Sequence, residues 1–278
     1  MVEVRPSERR GDATAAVLLT WFLPGAGHAY LGRVAFGALA FLVLEGLFLL
    51  GWWISEGRIF EYLDPELRGP FATLLAPEAG NLGAMLAYLK VSGFGALEAT
   101  PFPRGMFLGS VLCAVSGLAN LLLAAHAHLA ARAPSARPPG ATHPALLAAA
   151  AWLLPGLGHW LQGRRRRALL VAALLLGLFL LGTWLAEGSN LSRERHFYYW
   201  SGQVLLGGPA LLLEALLGGL RVTDEIRWVD VGLLYGCMAG LLNVLAVLDV
   251  YGLAEQRWLG HVELHGGVGA RVEGEVSA

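Results

Sequence analysis

The feature that most constrains this chain is a stretch that it writes twice. Trp21-Phe22-Leu23-Pro24-Gly25-Ala26-Gly27-His28 returns as Trp152-Leu153-Leu154-Pro155-Gly156-Leu157-Gly158-His159. The match continues without a gap from Trp21–Gly57 to Trp152–Gly188, with about half the positions identical. A self-match of that length makes internal duplication the first property of the fold. The later parts correspond too: Gly109 aligns with Gly232, and Gly117-Leu118-Ala119-Asn120 with Gly240-Leu241-Leu242-Asn243.

Composition gives the medium. Of 278 residues, 56% are hydrophobic and 15% charged, and the mean hydropathy is +0.56. Soluble domains carry ~25% charge. Several apolar runs here reach the ~20 residues that cross a bilayer, which predicts an all-α, multi-pass membrane protein. The formal net charge is −1 and the arginines are spread along the chain, so the footprint of a nucleic-acid binder is missing. Cys113 and Cys237 both fall in apolar runs and read as small packing residues, not as disulfide partners or metal ligands. Lysine occurs once, at Lys90, in a chain rich in Arg, Ala, Leu and Gly. That bias suggests a bacterial gene, and with it a bacterial inner-membrane protein.

Read in order, repeat one is expected over 1–131. A broken segment at 13–32 is followed by spans at 34–54 and 105–131, with a mixed loop at 55–104. Pro24 removes a helix hydrogen bond, and Gly25 and Gly27 loosen the backbone beside it. Trp52 and Trp53 close the first span at interfacial depth. A linker rich in Pro, Ala and Arg covers 132–144. Repeat two is expected over 145–253, with a broken segment at 145–163, spans at 168–186 and 229–253, and a loop at 187–228. A polar tail covers 254–278. The N-terminus imitates a signal peptide, but the same apolar run recurs internally, so it is expected to be retained. Within the second loop, Gln203–Leu220 reads as an interfacial helix opened by Pro209.

Charge bears on topology. If the broken segments cross the bilayer, the repeats are inverted and Arg33 is opposite Arg164–Arg167. If each segment enters and returns, then Arg5, Arg9, Arg10, Arg33, Arg132, Arg137, Arg164–Arg167, Arg257 and Arg271 share one side. The bias of Lys and Arg toward the cytoplasm favours the second arrangement. Irregular backbone at membrane depth is tolerated where protein covers it. The expectation is therefore a tandem duplication in which each repeat holds one re-entrant segment, two transmembrane helices and an outer loop. Both termini are then cytoplasmic, and the repeats are parallel about an axis along the membrane normal.

The motif Leu-Pro-Gly-x-Gly-His-x-x-x-Gly, then a span, then Gly240-Leu241-Leu242-Asn243 running to Asp249, resembles a family of uncharacterised bacterial multi-pass membrane proteins. The first motif alone is similar to the broader TM-two-like hairpin domains. The chain reads as two such units fused. Repeat one departs from the pattern at His126, where repeat two has Asp249, and at His128, where repeat two has Tyr251. The resemblance implies architecture and no activity.

Candidate sites follow from polar residues in apolar surroundings. His28 and His159, beside the breaks, could hold an ion, a proton or a lipid phosphate. The preferred alternative has each histidine capping the carbonyls that Pro24 or Pro155 leaves free, while Gly25, Gly27, Gly156 and Gly158 serve close packing. Asn120 and Asn243 suit either a polar cavity or an interhelical hydrogen bond. His126 and Asp249 are expected at the level of His28 and His159, in a structural network or, less favoured, a proton relay through Asp249, His159 and His28. Glu45 sits mid-span where repeat two has Leu176, so any role belongs to repeat one alone. Arg164, Arg165, Arg166 and Arg167 could contact anionic lipid or simply fix topology. His261 and His265 read as part of a solvated tail. No catalytic constellation, metal site or cofactor motif is visible, and Ser110, Ser116 and Ser201 have no base partner by sequence.

The leading functional expectation is a non-enzymatic scaffold or accessory subunit of a bacterial membrane complex, in contact with the lipid bilayer and with membrane-protein partners. The alternatives are a small transporter or lipid-handling protein and, behind it, an intramembrane enzyme. A cavity reaching Glu45 or the histidines separates the second from the first.

Overall fold

The structure, a computed structural model, describes residues 11–61, 63, 66, 68–94, 103–132, 142–193, 195–217 and 226–259. Arg5, Arg9, Arg10, Arg137, His261, His265, Arg271 and most of the 132–144 linker lie outside the described residues. Everything regular among the described residues is helical.

Repeat one opens with α1 (Ala13–Phe22) and α2 (Ala26–Tyr30), followed by α3 (Val34–Ile54). Asp12 caps α1, its carboxylate accepting from the Ala15 amide at 2.7 Å. Pro24 stops the ladder, and Gly25 takes up φ +80° to start α2 in a new direction. A Cβ at Gly25 would overlap the Gly37 carbonyl of α3, so the backbone there must be both left-handed and bare. Gly156, at φ +88°, meets the Ala168 carbonyl in the same way. The ends of the broken segment are held together: the Asp12 amide donates to the Tyr30 hydroxyl at 3.2 Å. The start of α1 and the end of α2 are therefore side by side, next to the start of α3.

The loop after α3 is not irregular. It holds α4 (Pro70–Leu75), a 3-10 turn at Pro77–Gly80 and α5 (Leu82–Ser92) before α6 (Met106–Arg132). Tyr88, fully buried, anchors α5 by donating to the Gly57 carbonyl at 2.9 Å. Repeat two has the same parts: α7 (Pro144–Leu153), α8 (Leu157–Leu161), α9 (Arg165–Leu185), α10 (Phe197–Gln203), a 3-10 turn at Val204–Leu206, α11 (Gly208–Leu217) and α12 (Val229–Trp258). The short apolar helix α11, with Pro209 in its first turn, has its counterpart in α5. Sequence reading saw only the former as a helix because acids and prolines break up the apolar pattern of 55–104. Helix α12 continues past Tyr251 to Trp258; Glu255 pairs with Arg132 at the end of α6, and Trp258 packs on His143 at the start of α7.

Four helices, α3, α6, α9 and α12, are long and apolar enough to cross a membrane. Their outer faces are rows of exposed Leu, Val and Phe, and Trp53 and Trp184, at equivalent positions, are about three-quarters exposed. Surface of that kind belongs in lipid. Within a repeat the two long helices touch backbone to backbone. A Cβ on Gly51 would meet the Gly109 carbonyl, and one on Gly182 the Gly232 carbonyl. Cys113 and Cys237 are free thiols, and Cys113 donates to the Phe48 carbonyl at 3.3 Å.

The repeats run in parallel. At one end Arg132 of α6 pairs with Glu255 of α12 at 2.8 Å. At the other, Phe197, Trp200 and Val204 from repeat two join Phe48, Ile59, Phe60, Leu63 and Tyr88 from repeat one in a single apolar cluster.

Candidate functional site

Each repeat builds one polar junction where its broken segment meets its last long helix. In repeat one, His28 is fully buried and its Nε2 lies 2.7 Å from His126 Nδ1 on α6. The two rings are stacked at 5.0 Å and Phe36 of α3 leans on both, with Arg33 within electrostatic reach. In repeat two, His159 Nε2 lies 3.1 Å from Asp249 Oδ2 on α12. The same carboxylate receives Arg164 at 2.6 Å and Arg167 at 3.3 Å. The junctions are one design with one exchange, His126 for Asp249.

The histidines do not cap the broken backbone. Each turns its Nε2 to the neighbouring long helix, and each Nδ1 is buried without a hydrogen-bond partner. The capping falls to Asn120, whose amide donates to Thr20 O at 2.7 Å, Trp21 O at 3.3 Å and Gly80 O at 3.0 Å. Thr20 and Trp21 are in the last turn of α1, where carbonyls have no helical partner. Asn243 caps only the loop, donating to Leu205 O at 3.1 Å and Leu206 O at 3.4 Å. Asn120 and Asn243 are thus buried brackets between a long helix and the segments beside it, not the lining of a cavity.

The relay through Asp249, His159 and His28 is not assembled, because the two histidines belong to separate pairs. Nor do the four arginines act as a block. Arg164 and Arg167 hold Asp249, Arg165 stacks on Trp160 at 5.4 Å, and Arg166 is exposed. Glu45 is half-buried, with one carboxyl oxygen buried and unpartnered and the Asn81 side chain at the group. Asn81 in turn donates to Ser116, which donates to Leu44 O. Ser110 and Ser201 likewise donate to backbone carbonyls. Among the described residues no three His, Cys, Asp or Glu side chains are grouped to hold a metal.

A cleft of about 960 Å³ opens between the repeats. Its walls are Phe36–Leu44 of α3, Ala119–His126 of α6 and Ala145–Ala149 of α7, nearly all apolar. One end is polar and aromatic, formed by His126, Thr142, His143 and Trp258. The rings run in series, His126 to His143 at 4.9 Å and His143 to Trp258 at 5.1 Å. His143 also caps α7, its Nδ1 accepting from Ala145 N at 3.2 Å. Sequence reasoning found His126 and missed His143 and Trp258. His143 stands where repeat one has Asp12, each capping the first helix of its broken segment, and it meets His126 only because α7 of repeat two folds beside α6 of repeat one.

Also missed is a chain of contacts at the opposite end. The fully buried Glu78 pairs with Arg193 at 3.2 Å, Arg193 stacks on Trp200 at 4.6 Å, and the Trp200 indole donates to Glu214 at 2.8 Å. It joins the two loops, and nothing in the duplication marks it.

No curated protein and no solved structure matches the chain. Residues 15–138 and residues 146–259 each match the model of one family of unknown function (DUF6677), and this chain, carrying that unit twice, belongs to the family.

Proposed function

We propose that the protein is a lipid-handling membrane protein that holds one membrane amphiphile between its two repeats. The observation that carries this reading is the cleft of about 960 Å³ with apolar walls and a single polar end. Ligand sites run to ~300–1,000 Å³, largely apolar with a few placed polar groups. The cleft lies between candidate membrane helices, so an acyl chain can enter it sideways from lipid, with its headgroup at His126 and His143.

In this reading the unit is the hairpin of the TM-two-like type, repeat one covering 1–131 and repeat two 145–253. Each broken segment re-enters the bilayer from the face on which it began, supported by the bond between Asp12 and Tyr30. That face is cytoplasmic and the membrane is the bacterial inner membrane. Arg33, Arg132, Arg164–Arg167 and Arg257 are at this end, whereas the arginines at the other end accompany Glu56, Glu61, Glu78, Glu187, Glu214 and Asp230. Arg165 and Arg166 remain available to anionic lipid at the surface.

The test is native mass spectrometry of the full chain released from mild detergent. We expect one retained lipid per chain, lost in Ala149→Trp, which fills the cleft wall, with an unchanged melting temperature. Equal retention in wild type and Ala149→Trp would overturn the reading. A second reading, a scaffold within a membrane complex, draws on the bare glycine crossings that give the bundle its shape. It predicts a stoichiometric protein partner and indifference to Ala149→Trp.

A further inference from the structure

Near the middle of α3, repeat one holds a polar trio that repeat two does without. The Ser116 hydroxyl of α6 donates to the Leu44 carbonyl at 2.9 Å and accepts from the Asn81 amide nitrogen at 3.1 Å. Asn81, at the N-terminus of α5, is thereby set beside the next residue of α3, Glu45, and its side chain is hydrogen-bonded to the Glu45 carboxyl group. In repeat two the same places belong to Leu176, Leu206 and Ala239. Asn81 and Leu206 correspond because each stands two residues before a glycine, Gly83 or Gly208, that packs on an equivalent carbonyl, Phe22 O or Leu153 O. Leu206 and Ala239 are core residues, so the duplicated unit closes at this point without any polar group. The shape of the fold does not call for the trio.

Two of its oxygens lack a donor. Glu45 Oε1 and Asn81 Oδ1 are both buried and unpartnered, and Asn81 is fully buried. Turning the amide round does not help, because its nitrogen is held by a hydroxyl whose own hydrogen goes to Leu44 O. No cation answers the carboxyl among the described residues. The titratable groups beside this part of α3 are engaged elsewhere: Cys113 of α6 donates to Phe48 O, and Glu78 in the Pro77–Gly80 turn is paired with Arg193. Leu42 and Leu49, three residues before Glu45 and four after it on the same face, are exposed. The unburied half of Glu45 therefore meets lipid, where an ionised carboxylate is costly. We infer that Glu45, with Asn81 and Ser116, is a proton-binding site inside the membrane: the carboxyl takes up one proton, becomes neutral and donates to Asn81 Oδ1, while Ser116 holds Asn81 in position to accept. One proton needs a single oxygen and a single acceptor, where a hard metal cation gathers about six oxygens or more. The site goes beyond the lipid-handling reading and does not rest on it, since Leu44 lines the cleft and Glu45 does not.

Dicyclohexylcarbodiimide, an apolar reagent that dissolves in lipid, tests this on the full chain in liposomes. The O–H of a protonated carboxyl adds across its C=N bond with no leaving group, and rearrangement to the N-acylurea retains the label. Wild type at neutral pH should carry one label, mapped to Glu45 by peptide mass spectrometry, and should lose it as rising pH removes the proton. A water-soluble carbodiimide should leave Glu45 unlabelled. Glu45→Gln should abolish the label; should that variant not fold, the mapped site and the pH dependence in wild type carry the test alone. Asn81→Leu, which copies repeat two, should displace the pH dependence of labelling, whereas a role in shape alone would move only the melting temperature. An unchanged profile in Asn81→Leu would overturn the assignment of Asn81 as the acceptor. No label on Glu45 in wild type, or label from the water-soluble reagent alone, would overturn the site. Protection of Glu45 by sodium ions at constant ionic strength and pH would mean a metal cation in place of the proton and would overturn the assignment.

Discussion

Replacing Asn120 with leucine tests how the broken segment is held at depth. Two N–H groups of one amide serve three carbonyls, Thr20 O and Gly80 O at good distances and Trp21 O at 3.3 Å. The side chain is fully buried, so no water replaces it. Interhelical hydrogen bonds in membrane proteins contribute ~0.6 to 1.7 kcal/mol each. Two such bonds put Asn120→Leu at about 1–3 kcal/mol of destabilisation. Asn243→Leu removes one good bond and one of 3.4 Å, which gives about 1 kcal/mol on the same scale. The two residues occupy equivalent positions, so the sequence alone predicts equal effects and the structure does not. The assay is reversible unfolding in mixed micelles with increasing denaturing detergent, read by tryptophan fluorescence. Trp21 donates to Ala79 O at 2.9 Å beside the lost bracket, and its emission should shift first. Equal losses for the two leucine variants, or a loss confined to Asn243→Leu, would refute the account of α1 as a helix end capped from α6.

Gly109→Leu and Gly232→Leu drive a side chain into the carbonyls of Gly51 and Gly182. Each should cost ~1–3 kcal/mol by overpacking, seen as a lower melting temperature in fluorescence-detected gel filtration. Glu78→Gln and Arg193→Gln each break a buried pair between the repeats, with losses of ~3–5 kcal/mol when one charge is left behind. The double variant should be less damaged than the sum, in a double-mutant cycle on the same unfolding assay. His196 is in the loop outside the spans, with Ser189 Oγ at 3.0 Å from its Nε2. Burial, with Arg195 next, holds its pKa below the ordinary histidine value. The unfolded chain therefore takes up the proton first, so this stabilisation is complete above ~6.5 and fades as pH falls from there toward the lower folded value. Wild type should lose more stability between pH 7.5 and 5 than His196→Gln does, and parallel melting curves would count against it.

The duplication, the break and the long helices were legible because each leaves a local mark. Pro24 and Pro155 interrupt apolar runs, and the left-handed Gly25 and Gly156 follow them directly. The pairing of His28 with His126, and of His159 with Asp249, was legible only as a shared level along the bundle. Which ring atom meets which depends on α2 and α8 turning back toward α6 and α12. The carbonyl-capping role expected of the histidines went to Asn120 because Asn120 faces the last turn of α1, a relation across about 100 residues that no spacing encodes. Helix α4 and helix α5 were hidden for a different reason. Helix α4 packs against α10 of the other repeat and α5 against α1 and the Pro77–Gly80 turn, in a stretch whose acids and prolines leave neither the length of a span nor a regular amphipathic pattern.

The cleft itself follows from connectivity. Helix α1 packs on α6, and α7 packs on α12, as a duplicated unit requires. But α7 follows α6 through a short linker and so must also rest beside it, while the bond between Arg132 and Glu255 pins the ends of α6 and α12 together. Helix α6 therefore has two neighbours of the broken-segment kind, and α12 has one among the described residues. The space left between α3, α6 and α7 is the cleft. A tandem repeat in one chain is asymmetric at its seam even when its units are identical, and here the seam is where the sequence also diverges: His126 for Asp249, His128 for Tyr251, Arg132 for Glu255. Repeat two satisfies Asp249 within itself, through His159, Arg164 and Arg167. Repeat one, at the position equivalent to Asp249, turns the His126 ring toward the cleft.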